Sequence, residues 1–310
     1  MQHRNFMQVI CSSFQQRNRI SWLIGFCVTL TLALPWLLFS PSAFAQRPYF
    51  VTYDHEMEEP GNLEISVNPI LGFPKQGNRF MGGWTEFEYG LKGWWTTEFY
   101  LDGQKTWNDS TIFTGFRWEN RFRPLAREHW INPVLYFEFE RASEADKTML
   151  EIVGYGPEEE HSEPNDETRR ERETEIETRL ILSSNFKGWN VSENFISVKN
   201  LSNEPWEFGY AVGISRPLGL EASPRPCSWC SENFRLGVEM YGGLGTWHDF
   251  GVSRSSHYIA PVLAWGLPSG TTFRISPGWG LTSESHRTLL RLGFSYELNG
   301  FGRKVRQIFR

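Results

Sequence analysis

Charged side chains recur at every second position in several short segments of this sequence. Arg117, Glu119 and Arg121 form one such run, and Glu86 with Glu88 forms another. Residues two apart in a β-strand lie on the same face, so each run predicts a strand with one charged face. Such faces could line a polar pathway that selects solutes, or their acids and bases could pair and close it. The residues predicted to line this interior are Glu86, Glu88, Glu98, Arg117, Glu119, Arg121, Glu138, Glu177, Arg179, Arg235, Glu239, Arg274, Arg291 and Glu297.

Serine and histidine, which together could support nucleophilic catalysis, occur close together at two places. Ser255 and His257 would lie on one face of a strand, whereas the adjacent Ser285 and His286 would point to opposite faces. A lipid esterase or phospholipase would need a serine activated by a histidine that a third group orients. The sequence contains no Gly-x-Ser-x-Gly motif. Lipid hydrolysis is therefore an alternative hypothesis, with Ser255 as the residue to test.

Two other kinds of residue could carry redox or metal chemistry. Cys227 and Cys230 have the spacing of a redox pair, but they lie just after Pro226 and outside a thioredoxin-like context, which favours a local disulfide. Acids with one histidine cluster at 54–59 and again at 158–163, yet neither spacing matches a defined metal site. A charged arm and a solvated loop are the favoured interpretations, so no metal or cofactor is predicted.

The N-terminus has the organisation of a secretory signal peptide. Three arginines precede an apolar stretch at 22–39, and an Ala-Phe-Ala sequence ends at Ala45, which predicts cleavage after that residue. The alternative is an uncleaved membrane anchor, which the apolar length permits. Removing residues 1–45 reduces the 31 basic residues to 28 and leaves all 36 acids. The mature chain is thus acidic, which argues against a nucleic-acid partner.

Short segments with apolar and polar residues in alternation fill the rest of the chain. At 290–298, for example, leucine and aromatic residues share one face, while Arg291 and Glu297 share the other. Twelve segments of this kind predict an all-β, antiparallel protein, and most have the roughly 9 to 11 residues that a tilted strand needs to cross a bilayer. The predicted strands are 63–68, 80–90, 94–102, 111–122, 134–140, 173–186, 189–198, 206–215, 234–240, 257–267, 271–281 and 290–298.

The lengths of the connections alternate between short and long. The turns at 90–93, 187–188 and 267–270 are short, whereas the longest connection, at 142–172, falls on the opposite side. Transmembrane barrels have short periplasmic turns and longer outer loops, so the alternation favours a barrel. The connection at 217–231 is long for a periplasmic turn, which indicates either an incorrect register or a small periplasmic element.

The last predicted strand carries a recognisable signal. Arg291, Gly293, Tyr296 and Leu298 resemble the polar, glycine and hydrophobic positions of the assembly signal in the final strand of bacterial outer-membrane β-barrels. The resemblance covers about residues 60–298. It implies a transmembrane β-barrel that is surrounded by outer-membrane lipid and inserted by the barrel assembly machinery. The chain departs from the family pattern in its basic tail at 299–310, because these proteins usually end on the aromatic residue.

These observations predict four regions and leave the function open. The regions are a signal peptide at 1–45, a periplasmic arm at 46–61, a barrel at 62–298 and the tail at 299–310. The barrel is expected to be a monomer in the outer membrane, with either a transport-like or a structural role. A soluble secreted β-sandwich is a further alternative, in which exposed tryptophans would stack on glycans. The tryptophans concerned are Trp94, Trp95, Trp206, Trp265 and Trp279.

Overall fold

Twelve antiparallel strands form one closed sheet. A computed structural model of the protein describes residues 48–148, 153–154, 164–202, 204–252 and 254–308. Each strand pairs with its neighbours in sequence, and the first pairs with the last, so the sheet has no free edge. The strands are β1 Leu63–Phe73, β2 Phe80–Lys92, β3 Trp95–Thr106, β4 Thr111–Phe122, β5 Asn132–Ser143, β6 Arg172–Phe186, β7 Trp189–Asn200, β8 Trp206–Pro217, β9 Phe234–Thr246, β10 His257–Gly266, β11 Thr271–Gly280 and β12 Thr288–Leu298.

The strand count and the antiparallel barrel predicted from the sequence are confirmed. Closure also rules out the two-sheet sandwich considered as an alternative, because β1 and β12 pair over nine residues. The largest error in strand length is in β9, which extends to Thr246, six residues past its predicted end at Met240. The added stretch contains Gly242 and Gly243, which have no side chains to continue the alternation but still pair with β8 through their backbones.

The barrel is apolar outside and polar inside. On β3, Phe99 and Leu101 are 42% and 41% exposed, whereas the intervening Glu98 and Tyr100 are 1% and 2% exposed. Successive side chains of a strand point to opposite faces, so this contrast assigns the outer wall to the apolar residues. A soluble protein would bury such residues, whereas barrels that span a membrane present them to lipid.

Exposed aromatic side chains cluster at the two ends of the barrel. We call the end where β1 begins and β12 ends the terminal end, and the opposite end the loop end. Membrane barrels place such girdles of aromatic residues at both lipid interfaces. The terminal end carries Trp94, Trp130, Phe186, Trp189 and Trp229, and the loop end carries Trp107, Phe113, Trp206, Trp247 and Trp279.

Helices are few and short in the described residues. Helix α1, Asn165–Thr168, lies in the β5–β6 connection, and helix α2, Phe301–Ile308, follows the last strand. None of the helices in these ranges is long and apolar enough to cross a membrane. The long β8–β9 connection contains a short 3-10 turn, Ser231–Asn233, and a disulfide joins Cys227 to Cys230 just before it.

Candidate functional site

Seven glutamates lie in register on seven adjacent strands. Each is the direct cross-strand partner of the next, so together they form a row that follows the hydrogen-bonding direction around more than half of the barrel. Within this glutamate row, residues 119 and 138 are completely buried. Like charges directly opposite one another are destabilising unless something compensates them. In order from β12 through β1 to β6, the row consists of Glu297, Glu64, Glu88, Glu98, Glu119, Glu138 and Glu177.

Arg121 compensates the centre of the glutamate row. Its Nη2 atom donates to Glu88 Oε1 at 2.7 Å and also contacts Glu98, and its Nε atom lies 3.0 Å from Glu119 Oε1. The arginine side chain is fully buried, and the three carboxylates are at most 2% exposed. A planar guanidinium with several fixed donors suits this arrangement better than an ammonium group would. Arg121 therefore holds three strands together through one charge cluster.

Two further arginines pair with the row on β4 to β6. Arg117 lies 3.0 Å from Asp102 and 3.6 Å from Glu138, and the Nε atom of Arg179 donates to Glu177. These ion pairs join residues of the same or adjacent strands. They therefore neutralise one wall of the lumen without reaching across it, and something else must fill the space that twelve strands enclose.

That space is partly filled by residues 48–60, which we call the inner segment. The backbone N–H groups of Phe50, Val51 and Thr52 all donate to the carboxylate of Glu239 on β9, at 3.2, 3.0 and 3.0 Å. Hydrogen bonds to an ionised acceptor are about twice as strong as neutral ones. Arg179 donates to the carbonyl oxygen of Val51 at 3.0 Å from β6. The segment is thus bound to both β6 and β9.

Further contacts trace the inner segment back toward the start of β1. Tyr53 exchanges hydrogen bonds with the side chain of Asn194, at 2.7 and 2.8 Å, and donates to Glu119 at 2.9 Å. His55 is 1% exposed and contacts Ser183 at 2.8 Å. The sequence predicted a periplasmic arm at 46–61, but the described part of that region makes its contacts inside the barrel. Its polar backbone finds acceptors and donors on the charged walls, which no local sequence pattern reveals.

The wall formed by β7 to β10 adds apolar packing to these polar contacts. Val51 packs into a buried cluster that includes Ile196, Val198 and Ala211, and the rings of Tyr241 and Tyr258 stack there at 5.3 Å. On β8, Gly213 allows the ring of Tyr49 to approach, since a Cβ atom at that position would lie 2.6 Å from the ring. Side-chain packing of Tyr49 and Val51 against the wall therefore fills the lumen on this side.

A cavity remains on the side opposite this packing. It has a volume of about 200 Å³ and lies between the inner segment and strands β1, β2, β11 and β12. It reaches from Thr148, in a connection at the loop end, to Leu267 and Gly270 at the terminal end. Its charged lining residues are the acids Glu56, Glu58, Glu64, Glu86, Glu88 and Glu297 and the bases Arg117, Arg179, Arg274 and Arg291.

The β5–β6 connection folds over the loop end of the lumen. The backbone N–H of Lys147 donates to the side chain of Gln104 at 2.8 Å, and Gln104 donates to the carbonyl oxygen of Ala145 at 2.9 Å. Asn165 of α1 contacts Thr106 at the end of β3 and Ser110 in the turn that follows it. The sequence favoured a solvated loop, but these residues pack into the mouth. The acidic cluster at 158–163 lies outside the described residues.

We expect His286 to make the stability of this mouth sensitive to pH. It is 1% exposed, its ring lies 5.2 Å from that of Phe80, and burial lowers its pKa from 6.5 to about 4. In the unfolded chain the imidazole of His286 is therefore protonated below about pH 6.5, whereas in the folded chain it is protonated only below about pH 4. We expect stability to fall across this interval by on the order of 3 kcal/mol from this group.

Unfolding in urea at pH 7.5 and at pH 4.5 measures this effect. His286→Gln should reduce the difference in unfolding free energy between the two pH values, while His248→Gln, an exposed histidine at the same end, should leave it unchanged. Equal pH dependence in both variants and the wild type would contradict the assignment to His286.

All fourteen charged residues that the sequence predicted for the interior lie on the inner face. Ten of them are buried, and Glu86, Arg235, Arg274 and Glu297 are partly buried. The sequence analysis missed Glu64 and Asp102, although each continues the period-two pattern of its strand. It also missed the contribution of residues 48–60, for which periodicity offers no signal.

The serine and histidine considered for catalysis are engaged elsewhere. His257 contacts Tyr210 through Nδ1 at 3.1 Å and the carbonyl oxygen of Val252 through Nε2 at 3.2 Å. Ser255 donates to the carbonyl oxygen of Gly251, and no hydrogen bond joins it to His257 among the described residues. The geometry therefore gives no support to Ser255 as a nucleophile.

The fold is shared with a known membrane channel. An outer-membrane channel from Pseudomonas putida F1 aligns with 81% of this chain and 100% of its own, at 10% identity and a TM-score of 0.50. This chain has the fold of porin-like outer-membrane β-barrels. The KdgM porin aligns with 75% of this chain and 98% of its own, at 9% identity and a TM-score of 0.46. Outer-membrane phospholipase A from Escherichia coli aligns with 81% of this chain and 99% of its own, at 11% identity and a TM-score of 0.37.

No protein-family model and no curated protein matches the sequence. In the orientation usual for outer-membrane barrels, with short periplasmic turns and longer outer loops, the terminal end of this barrel would face the periplasm. Cleavage after Ala45 stays a prediction, because residues 1–47 lie outside the described residues.

Proposed function

We propose that this barrel is a narrow channel that favours small cations. The observation that carries the proposal is the glutamate row, five of whose seven members contact an arginine and three of which, Glu64, Glu88 and Glu297, line the cavity. Rings of acidic side chains select cations in channels. The polar route left beside the inner segment has six acids and four bases, so its net charge is negative.

The arginines on the cavity wall are also partly compensated by nearby acids. Arg117 is paired with Asp102, and Arg179 is paired with Glu177, neither of which lines the cavity. Arg274 donates to the carbonyl oxygen of Tyr49 and to Asn68, both at 2.9 Å. The bases therefore act mainly to hold the inner segment and the wall in place, which leaves the glutamates to set the sign of the potential in the route.

Recordings in planar lipid bilayers with a potassium chloride gradient test the proposal. We expect small conductance steps whose reversal potential indicates preference for potassium over chloride. Replacing Glu64 and Glu297 by glutamine should shift the reversal potential toward zero, because it removes two negative charges from the cavity wall. The shift should shrink at high salt, where charges are screened within about 3 Å at 1 M.

A glutamate elsewhere in the lumen provides the matched control. Glu140 on β5 is on the inner face but does not line the cavity, so Glu140→Gln should leave the reversal potential unchanged. A barrel without conductance steps, or one that prefers chloride, would refute the proposed function.

A further inference from the structure

Helix α2 at the periplasmic end presents one apolar and one basic face. Phe301, Val305 and Ile308 recur at helical spacing and share a face, whereas Arg303 and Arg306 project from the other. Residues 299–310 contain four basic residues and no acid, in a chain whose mature part is acidic overall. Amphipathic helices with basic polar faces lie in the interface of membranes that contain anionic lipid.

The start of β1 holds this helix against the outer wall of the barrel. The backbone N–H of Gly302 donates to the carbonyl oxygen of Gly61 at 2.9 Å, and that of Gly300 donates to Asn62 Oδ1 at 2.8 Å. The ring of Phe301 packs edge to face on Tyr89 of β2, with centroids 6.4 Å apart. The helix is therefore fixed at the level of the periplasmic aromatic girdle.

An apolar groove runs along the outer wall beside Phe301. Its volume is about 350 Å³, and it is lined by residues of β1 to β4 together with Phe301 of α2. Phe99 and Trp118 are 42% and 50% exposed, so the groove is open to the acyl chains of the membrane. The apolar residues that line it are Leu63, Phe87, Tyr89, Phe99, Trp118 and Phe301, and Thr97 and Glu98 complete the lining.

We propose that α2 and this groove form a binding site for an anionic phospholipid of the periplasmic leaflet. An acyl chain would occupy the groove, and the phosphate headgroup would lie against Arg303, Lys304 and Arg306. All three basic side chains are exposed, and no acidic side chain forms a salt bridge with them in the described part of the chain. The site does not depend on whether the barrel conducts.

Native mass spectrometry of the full-length mature protein in neutral detergent tests the proposal. The probes are phosphatidylglycerol and phosphatidylcholine with identical acyl chains. We expect phosphatidylglycerol to bind more tightly, and the triple variant Arg303→Gln, Lys304→Gln, Arg306→Gln to bind it about tenfold or more weakly, since each surface cation contributes to attraction of anionic lipid. A charge-matched triple variant at the loop end, Lys105→Gln, Arg141→Gln, Arg287→Gln, should bind like the wild type.

A second pair of variants tests the groove. Phe99→Ala should weaken binding of phosphatidylglycerol several-fold, whereas Phe195→Ala, an outward phenylalanine of similar exposure on β7, should not. Migration on gels without boiling confirms that each variant is folded. Equal binding of the two lipids by the wild type, or full retention of phosphatidylglycerol by the α2 triple variant, would overturn the proposal.

Discussion

Deletion of residues 48–58 should increase the single-channel conductance of the barrel several-fold. Barrels of 8 strands are filled by their own side chains, and barrels of 16 to 18 leave an aqueous channel, so 12 strands enclose space that needs a further element to occlude it. The inner segment provides that element here, and a cavity of about 200 Å³ remains beside it. Planar-bilayer recordings of wild type and deletion variant measure the change.

A single substitution should release the same segment in part. Glu239→Gln removes the charge that three backbone N–H groups share, and hydrogen bonds to a neutral oxygen are weaker. We expect brief openings of higher conductance in this variant. Glu140→Gln serves as control, because no hydrogen bond links it to the inner segment in the described ranges. If the deletion conducts no better than the wild type, residues 48–58 do not obstruct the lumen.

Arg121→Met should destabilise the folded barrel by about 3 to 5 kcal/mol. Removing one partner of a buried ion pair leaves the other charge without compensation, and here three buried glutamates would lose their shared partner. Arg121→Lys should be intermediate, since it retains the charge but loses the planar arrangement of donors. Urea unfolding in detergent or vesicles, followed by tryptophan fluorescence, gives the unfolding free energies.

Two further variants separate the loss of the charge cluster from a general effect of losing a lumen arginine. Arg235→Met removes a side chain whose described hydrogen bond is a single one to Ser215 at 3.3 Å, and its cost should be clearly smaller. Adding Glu88→Gln and Glu98→Gln to Arg121→Met should restore part of the lost stability. Equal costs for Arg121→Met and Arg235→Met, with no recovery in the triple variant, would show that the cluster does not stabilise the barrel.

Alternation along individual strands was enough to predict the faces of the barrel but not the grouping of its charges. Glu98 and Glu119 each alternate with outward aromatic residues, so both were predicted to face inward. Their direct pairing depends on the register between β3 and β4, which is defined by backbone hydrogen bonds along both strands. The same limit applies to Arg121, whose partners Glu88 and Glu98 come from two other strands.

The sequence by itself determined twelve strands, their inward and outward faces, and a barrel suited to the outer membrane, because these depend on a period of two that is written along each segment. Only the tertiary structure revealed the glutamate row, the inner segment and the position of α2 on the outer wall. Residues 48–60 have no periodicity, and they are held by Glu239, Arg179 and Asn194, which lie more than 100 residues away in the chain. Such contacts exist only once barrel closure brings the strands around them.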